Sequence, residues 1–343
     1  MTLQLLDGFD HLTAAGMTAK GWSFNSGSNT FSETVVAGRL SGNAYQMTHI
    51  GNAGDGTKTK NLPSTLTSLV CGCAIQLNKL PVAGNNEHLT LQAGGTKVLR
   101  VQFTTTGALR FLNSGGTVLA TSSLTISPNV WNYIEVKITI NGASSTLQTQ
   151  ANGGPDVGST TVNLGSSGIT NVMLGQLSIG PADVSNAVLW DDLYITNQSA
   201  PNGDFLSDCH VTTLYPTADG HYAQWTPNSG SNQFSRVNEH PPDGDTSYVS
   251  DNAIGDKDTF AVTTIAGGSI RGVQTNLYAR KEDAGFRQVA PIIRVASTDY
   301  QGTSETLTTS YVDGTQLYDQ NPGTSTTWTV SDINAAEFGM VVA

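Results

Sequence analysis

Between residues 89 and 140 the chain is a ladder of short alternating runs, from Leu89-Thr-Leu-Gln-Ala-Gly-Gly-Thr-Lys-Val-Leu-Arg-Val-Gln-Phe103 to Trp131-Asn-Tyr-Ile-Glu-Val-Lys-Ile-Thr-Ile140. A Gly-Gly at 94–95, a Thr-Gly at 106–107, a Gly-Gly at 115–116 and a Pro-Asn at 128–129 punctuate these runs at nearly even spacing. Tight turns between alternating runs are how an antiparallel sheet with hairpins is written. The expected class is therefore all-β.

From Trp131 onward, Ile134, Val136, Ile138 and Ile140 share one strand face, and Tyr133, Glu135, Lys137 and Thr139 the other. This predicts a core face and a wet face, with Glu135 and Lys137 as a surface ion pair. The same logic over Leu66–Leu77 puts Cys71 and Cys73 on a buried-type face with Leu69, Ile75 and Leu77.

A length of 343 residues suits two domains, each able to bury a core without disulfides or metal. Only 13% of residues are charged while Gly, Ser, Thr and Asn abound, as in turn-rich β-structure with hydroxyl and amide surfaces. Val188–Ile195 reads as a closing strand, and the polar turn-former tract Thr196–Gly203 after it sets a boundary near 200. The expectation is two antiparallel β-sandwiches of jelly-roll type, over 1–200 and 201–343. In the second, strands are expected at Ile270–Arg280, Phe286–Ala296, Glu305–Thr309 and Gln316–Asp319. A short helix at Ser331–Ala336, capped by Ser331 or Asp332, should precede a last strand through Phe338 and Val342.

A net charge of −11 argues against nucleic acid, whose binding draws on Lys and Arg displacing counterions. Cys71, Cys73 and Cys209 are an odd set without framework spacing, which fits free thiols in a reducing cytoplasm. The N-terminus lacks the basic and apolar regions of an export signal, and no run approaches the ~20 apolar residues of a membrane span.

Four segments of the first 200 residues resemble the laminin G-like and concanavalin A-like jelly-roll family: Leu6-Asp-Gly-Phe-Asp10, the hairpins of Leu89–Thr121, Trp131–Lys137 and Trp190-Asp-Asp-Leu-Tyr-Ile195. Gly203–Asp208, Leu214–Gly220, Pro242–Val249, Gly255–Asp258, Tyr278–Lys281 and Asp332–Gly339 are similar to segments of tailed-bacteriophage structural proteins. The resemblance implies a virion component assembled in the host cytoplasm, on a tail fibre, tail tip or head spike, with host-surface glycan as ligand. It also implies other virion proteins as partners and a homo-oligomer, a trimer being one option. A purely architectural decoration or tail-adaptor role stays open beside it. No residues here match the rim calcium site that laminin G-like modules often carry.

No catalytic set is legible. The Glu-x-Asp-x-x-Glu pattern of concanavalin A-like glycosidases is absent, and the adjacent Asp191 and Asp192 should point to opposite strand faces. Carboxylates brought together from different strands are the remaining route to an enzyme; the expectation is that the chain is not one. Asp243-Gly-Asp245-Thr-Ser247 opens like a calcium loop but has Tyr248 and Ile254 where such a loop needs glycine and glutamate, which favours an Asx turn. Gly51–Lys58 lacks the order of a phosphate loop and reads as a glycine loop. Neither cofactor nor metal is expected.

Aromatic rings beside turns are the best carbohydrate candidates, because a flat ring stacks on a sugar face while amides bind its hydroxyls. Trp22 with Asn25, Trp225 with Asn228, and Tyr300 with Asp299 fit that description. Tryptophan at a strand start also fills sandwich cores, so Trp22 and Trp225 carry both expectations. Their surroundings echo one another, Trp22-x-x-Asn-Ser-Gly-Ser-Asn-x-Phe-Ser32 against Trp225-x-x-Asn-Ser-Gly-Ser-Asn-x-Phe-Ser235, and two independent uses of one good turn are the simpler reading.

Overall fold

The computed structural model describes residues 2–11, 13–26, 31–82 and 84–343. They form two compact units, Thr2–Thr212 and Thr213–Ala343. The division falls after Thr212 rather than near 200, because residues 204–211 fold back onto the first unit.

The first unit is an antiparallel β-sandwich. Among the described residues one sheet has seven strands, in the spatial order Val118–Thr125, Ala108–Asn113, Thr96–Phe103, Asn86–Ala93, Ile169–Ile179, Gly54–Leu66 and Trp22–Ser26. The other has nine: Gly154–Pro155, Ser145–Ala151, Asn132–Thr139, Ser68–Leu77, Ala187–Thr196, Asn43–His49 and Phe31–Ala37 in order, with Leu3–Asp7 on Ala187–Thr196 and Thr160–Val162 on Ser145–Ala151. The 89–140 ladder thus supplies strands to both sheets. The inner faces meet through Trp190, whose indole donates to the His88 carbonyl at 2.9 Å, and through buried Lys58, which pairs with Glu33 at 3.0 Å and lies over the Tyr45 ring. Lys58 belongs to a strand that begins at Gly54, so only the first residues of the expected glycine loop are loop.

The outer face of the nine-stranded sheet is not wet as expected. Residues 204–211 lie across it as a strap, and Leu206 packs on Val70, Ala74, Tyr133 and Tyr194. Glu135 is fully buried there rather than paired with Lys137. Its Oε1 accepts hydrogen bonds from the Tyr194 hydroxyl and from the Leu206 and Ser207 amides at 3.0 and 3.1 Å. Lys137 pairs with Asp204 of the strap instead, at 3.0 Å. Farther along, a register shift between Asp191 and Tyr194 puts Asp192 in the left-handed region, φ 53°, and both aspartates become buried. Asp192 accepts from Arg39, from His210 at 2.9 Å and from the Val211 amide at 2.7 Å, which anchors the far end of the strap. A Cβ at Gly72 would collide with the Tyr194 ring, so glycine is what lets that ring lie flat under the strap.

The second unit is also antiparallel. Its main sheet has six strands among the described residues: Pro216–Ala223, Lys257–Val262, Glu337–Val342, Gln288–Val295 and Thr298–Gln301 in order, with Glu305–Thr306 beside Gln288–Val295. Two-stranded ribbons are made by Val273–Ala279 with Val312–Tyr318 and by Thr226–Pro227 with Val249–Ser250. Val273–Ala279, Gln288–Val295 and Glu305–Thr306 fall within their expected ranges, whereas Val312–Tyr318 starts ahead of the expected Gln316 because it pairs along the whole of Val273–Ala279; Pro216–Ala223, Lys257–Val262 and Thr298–Gln301 are additional to the expected strands. The helix spans Val330–Ala335 and its cap is Thr329, not Ser331 or Asp332; Asp332 closes a capping box with it. Asp243 braces the 243–247 turn by accepting from the Ser247 amide at 3.0 Å, a longer closure than the expected Asx turn.

Candidate functional site

Side-chain alternation and register together define the outer face of the seven-stranded sheet. Leu89, Leu91, Leu99, Val101, Leu109, Phe111, Val172 and Leu174 are buried toward the interior, so the alternate residues face outward. Cross-strand pairing sorts them into ranks. One runs Ser23, Thr59, Met173, Thr90, Arg100, Leu112; the next runs Asn25, Thr57, then Glu87, Gln102, Arg110, Thr121; a third holds Asn61, Asn171, Gln92 and Lys97. Hydroxyls, carboxamides and guanidinium groups dominate.

Glu87 is fully buried at the centre of this face, joined by Lys97 at 3.0 Å and by a short contact from Arg100. Burial alone would push its carboxyl up. The hydrogen bonds and charges of Arg100 and Lys97 outweigh that and hold it below the usual carboxylate range. The turn after Ala108–Asn113 helps set Arg100: at Gly116, φ 83°, a Cβ would stand 3.2 Å from its guanidinium.

Several polar atoms here have no protein partner. The Thr90 hydroxyl, the Asn171 carboxamide oxygen and the Arg100 Nε are buried without a hydrogen bond. Arg110 is half-buried and makes no side-chain hydrogen bond or ion pair among the described residues. Most buried polar groups in folded proteins are satisfied, so idle donors and acceptors gathered with an unpaired arginine on one sheet face make that face a candidate binding surface. At the Asn25 end, a shallow depression of about 420 Å³ is lined by Asn25, Gly54, Asp55, Thr57 and Leu177.

The structure disperses the residues chosen from sequence. Trp22 is fully buried in the interior, with its indole donating to Asp7 at 2.8 Å and its ring 5.9 Å from that of Phe9. It is core and cannot stack on a sugar. Asn25 is exposed and belongs to the outer face. In the second unit Trp225 packs against the Phe260, Val289 and Met340 cluster, and its indole donates to the Asp256 carbonyl. Asn228 spends its side chain on Thr246 and Tyr248, bracing the small ribbon. Asp299 and Tyr300 pair with Arg294 and Ile293, so they point to opposite faces of their strand and do not make one site. Burial would raise the Asp299 carboxyl, but hydrogen bonds from Lys257, Arg294 and Tyr222 outweigh it and hold the carboxyl low. Of the echoed tracts, residues 27–30 lie outside the described residues. Beyond them Phe31 opens a strand whereas Phe234 opens a 3-10 turn, so the shared letters serve two local structures.

Sequence reading passed over the outer-face set. Its signal was present in the ladder itself, as the polar positions Thr90, Gln92, Arg100, Gln102 and Arg110 between apolar ones.

No family model and no curated protein matches the chain. Among solved structures it is similar to the cellulose-induced protein Cip1, at 15% identity and a TM-score of 0.44 over 56% of this chain and 96% of that one. It is likewise similar to the alginate lyase vAL-1 from a Chlorella virus, at 12% and 0.42 over 56% and 100%. A third likeness is to a protein of unknown function with a galectin-like fold from Bacillus subtilis, at 8% and 0.38 over 57% and 96%. Likenesses this distant assign the chain no ligand and no activity.

Proposed function

We propose that this chain is a non-catalytic glycan-recognition protein of a bacteriophage virion, carried on a tail or head appendage, with the outer face of the seven-stranded sheet as its binding surface. The observation that carries the reading is the set of polar atoms on that face that bond to nothing among the described residues: the Thr90 hydroxyl, the Asn171 carboxamide oxygen, the Arg100 Nε and the Arg110 guanidinium. Carbohydrates offer many hydroxyls and little apolar area, and a flat field of amides, hydroxyls and guanidinium groups meets them with hydrogen bonds. The virion assignment rests on the similarity of the second half's segments to tailed-phage structural proteins. A binding role is favoured over hydrolysis because the ranks described hold one carboxylate, Glu87, and its two cations keep it from serving as an acid, whereas glycosidases need a pair.

The test uses the full chain on host cells and on purified surface polysaccharide. Binding that is competed off by the polysaccharide, releases no new reducing ends and falls at least about tenfold in Asn171→Ala supports the reading. Unchanged binding in that variant, or retention by cells stripped of glycan, overturns it.

A further inference from the structure

From the charge of the same outer face we infer that the glycan it takes is acidic, a polysaccharide bearing carboxylate or other anionic groups. The inference rests on the glycan-recognition reading and adds the ligand's charge to it.

The chain as a whole carries a net charge of −11. The ranks across Asn86–Ala93, Thr96–Phe103 and Ala108–Asn113 reverse that sign locally, placing Lys97, Arg100 and Arg110 around one carboxylate, Glu87. Asp55 stands beside Asn25 at the opposite edge, where it accepts from the Ser178 amide at 2.8 Å, and Asp156 at the near edge is occupied by the Ser123 amide and hydroxyl at 2.8 and 3.0 Å. An acidic protein that gathers three cations on one face repels polyanions elsewhere and admits them there.

Pairing shows which cations are available. Glu87 neutralises about one charge's worth of Lys97 and Arg100, and both remain partly exposed, 32% and 15% of their side chains. Arg100 keeps Nε unbonded and Arg110 keeps its whole guanidinium. Arg110 pairs across the sheet with Gln102, which lies between it and Glu87, so a carboxylate on the ligand would find a planar fork with an amide donor beside it. A neutral glycan would leave the Arg110 guanidinium half-desolvated without a counter-charge, a loss that an acidic sugar turns into a gain.

The experiment measures binding of the full chain to hyaluronan, polygalacturonate and gellan, each native and with its carboxylates reduced to alcohols, beside dextran. We expect native polymers to bind and their reduced forms to bind at least about tenfold more weakly, since charge-assisted contacts are lost while the backbone stays the same. Raising salt from 50 to 500 mM should weaken the native forms by a similar factor, because exposed charge pairs are screened. Arg110→Gln, which breaks no side-chain hydrogen bond or ion pair among the described residues, should lose most of the discrimination between native and reduced forms. Equal binding of native and reduced polymers, or preference for dextran, overturns the acidic assignment and leaves glycan recognition standing. Absence of binding to every polymer, together with failure of host polysaccharide to compete, overturns both.

Discussion

Glu135 and Glu87 lie on the outer faces of the two sheets of the first unit. Both are fully buried, and their carboxyls move in opposite directions. Burial pushes Glu135 up to about 7 even though three donors reach its Oε1, because Oε2 lies buried without a partner and no cation among the described residues is bonded to the group. Glu87 is held low because Lys97 and Arg100 bring full charges to it. At Glu135 neutral donors offset only part of the desolvation cost, whereas at Glu87 two cations overcome it. The two faces are used accordingly: one is closed by a strap of the chain's own residues, the other keeps cations and idle polar groups at the surface.

The comparison breaks most sharply at the strap. Leu206→Ala removes the apolar side chain that seats on Val70, Ala74, Tyr133 and Tyr194 and should destabilise the first unit by about 3 kcal/mol in denaturant unfolding. A loss below about 1 kcal/mol would mean that the strap is a surface loop and that Glu135 is not sealed by it.

Charge removal sharpens the contrast at the two glutamates. Glu87→Gln leaves Arg100 and Lys97 facing a neutral amide. Because both cations are partly exposed, the expected loss at pH 7 is about 2 kcal/mol, less than for a wholly buried pair. Glu135→Gln keeps an acceptor for the Leu206 and Ser207 amides and removes a charge that burial opposes, so at pH 8 it should be neutral or stabilising. The signs of the pH dependence also differ. A depressed folded value gives stability that is present above the unfolded value near 4.5 and is lost as pH falls through the folded one; this is Glu87. With Glu135 raised, the unfolded chain has released its proton between pH 4.5 and about 7 while the folded chain still holds it, so stability declines as pH rises through that window. Unfolding free energies at pH 5 and pH 8 should therefore converge in Glu135→Gln relative to the parent, and an unchanged gap would show that Glu135 is ionised throughout.

What the sequence could reveal follows the range of the interactions involved. Ile134, Val136 and Ile138 face the core as their alternation requires, since that signal is local. Glu135 misleads because its cover, Leu206 and Ser207, arrives some seventy residues later in the chain, and alternation distinguishes two faces without saying what lies on either. Trp22 and Phe24 alternate with Ser23 and Asn25, so the inward turn of the tryptophan was readable from its own strand once pairing was known; ring chemistry alone pointed the wrong way. Arg100 and Arg110 look alike as letters. Only register, which places Arg100 beside Thr90 and within reach of Glu87 but sets Arg110 against Gln102 and Thr121, separates the engaged guanidinium from the free one.

The smallest effect belongs to the pair that sequence had placed with Glu135. Lys137 meets Asp204 at 3.0 Å, but Asp204 is 74% exposed, and an ion pair so open to water and salt contributes little beyond the entropy it takes to hold two long side chains. The Asp204 carboxyl is drawn low by Lys137 and by the Phe205 amide, a shift that solvent screening largely cancels as a stability term. Lys137 also lies 5.9 Å from the centre of the Phe205 ring, so its stem covers part of the strap's first turn. Lys137→Ala should therefore change unfolding free energy by less than about 0.5 kcal/mol, with Lys137→Met at or below that because the stem is kept. A loss comparable to that of Leu206→Ala would make the strap an electrostatic clasp. Its apolar seat would then be secondary, and the difference between the two outer faces would lie in where their charges are placed rather than in whether the chain covers them.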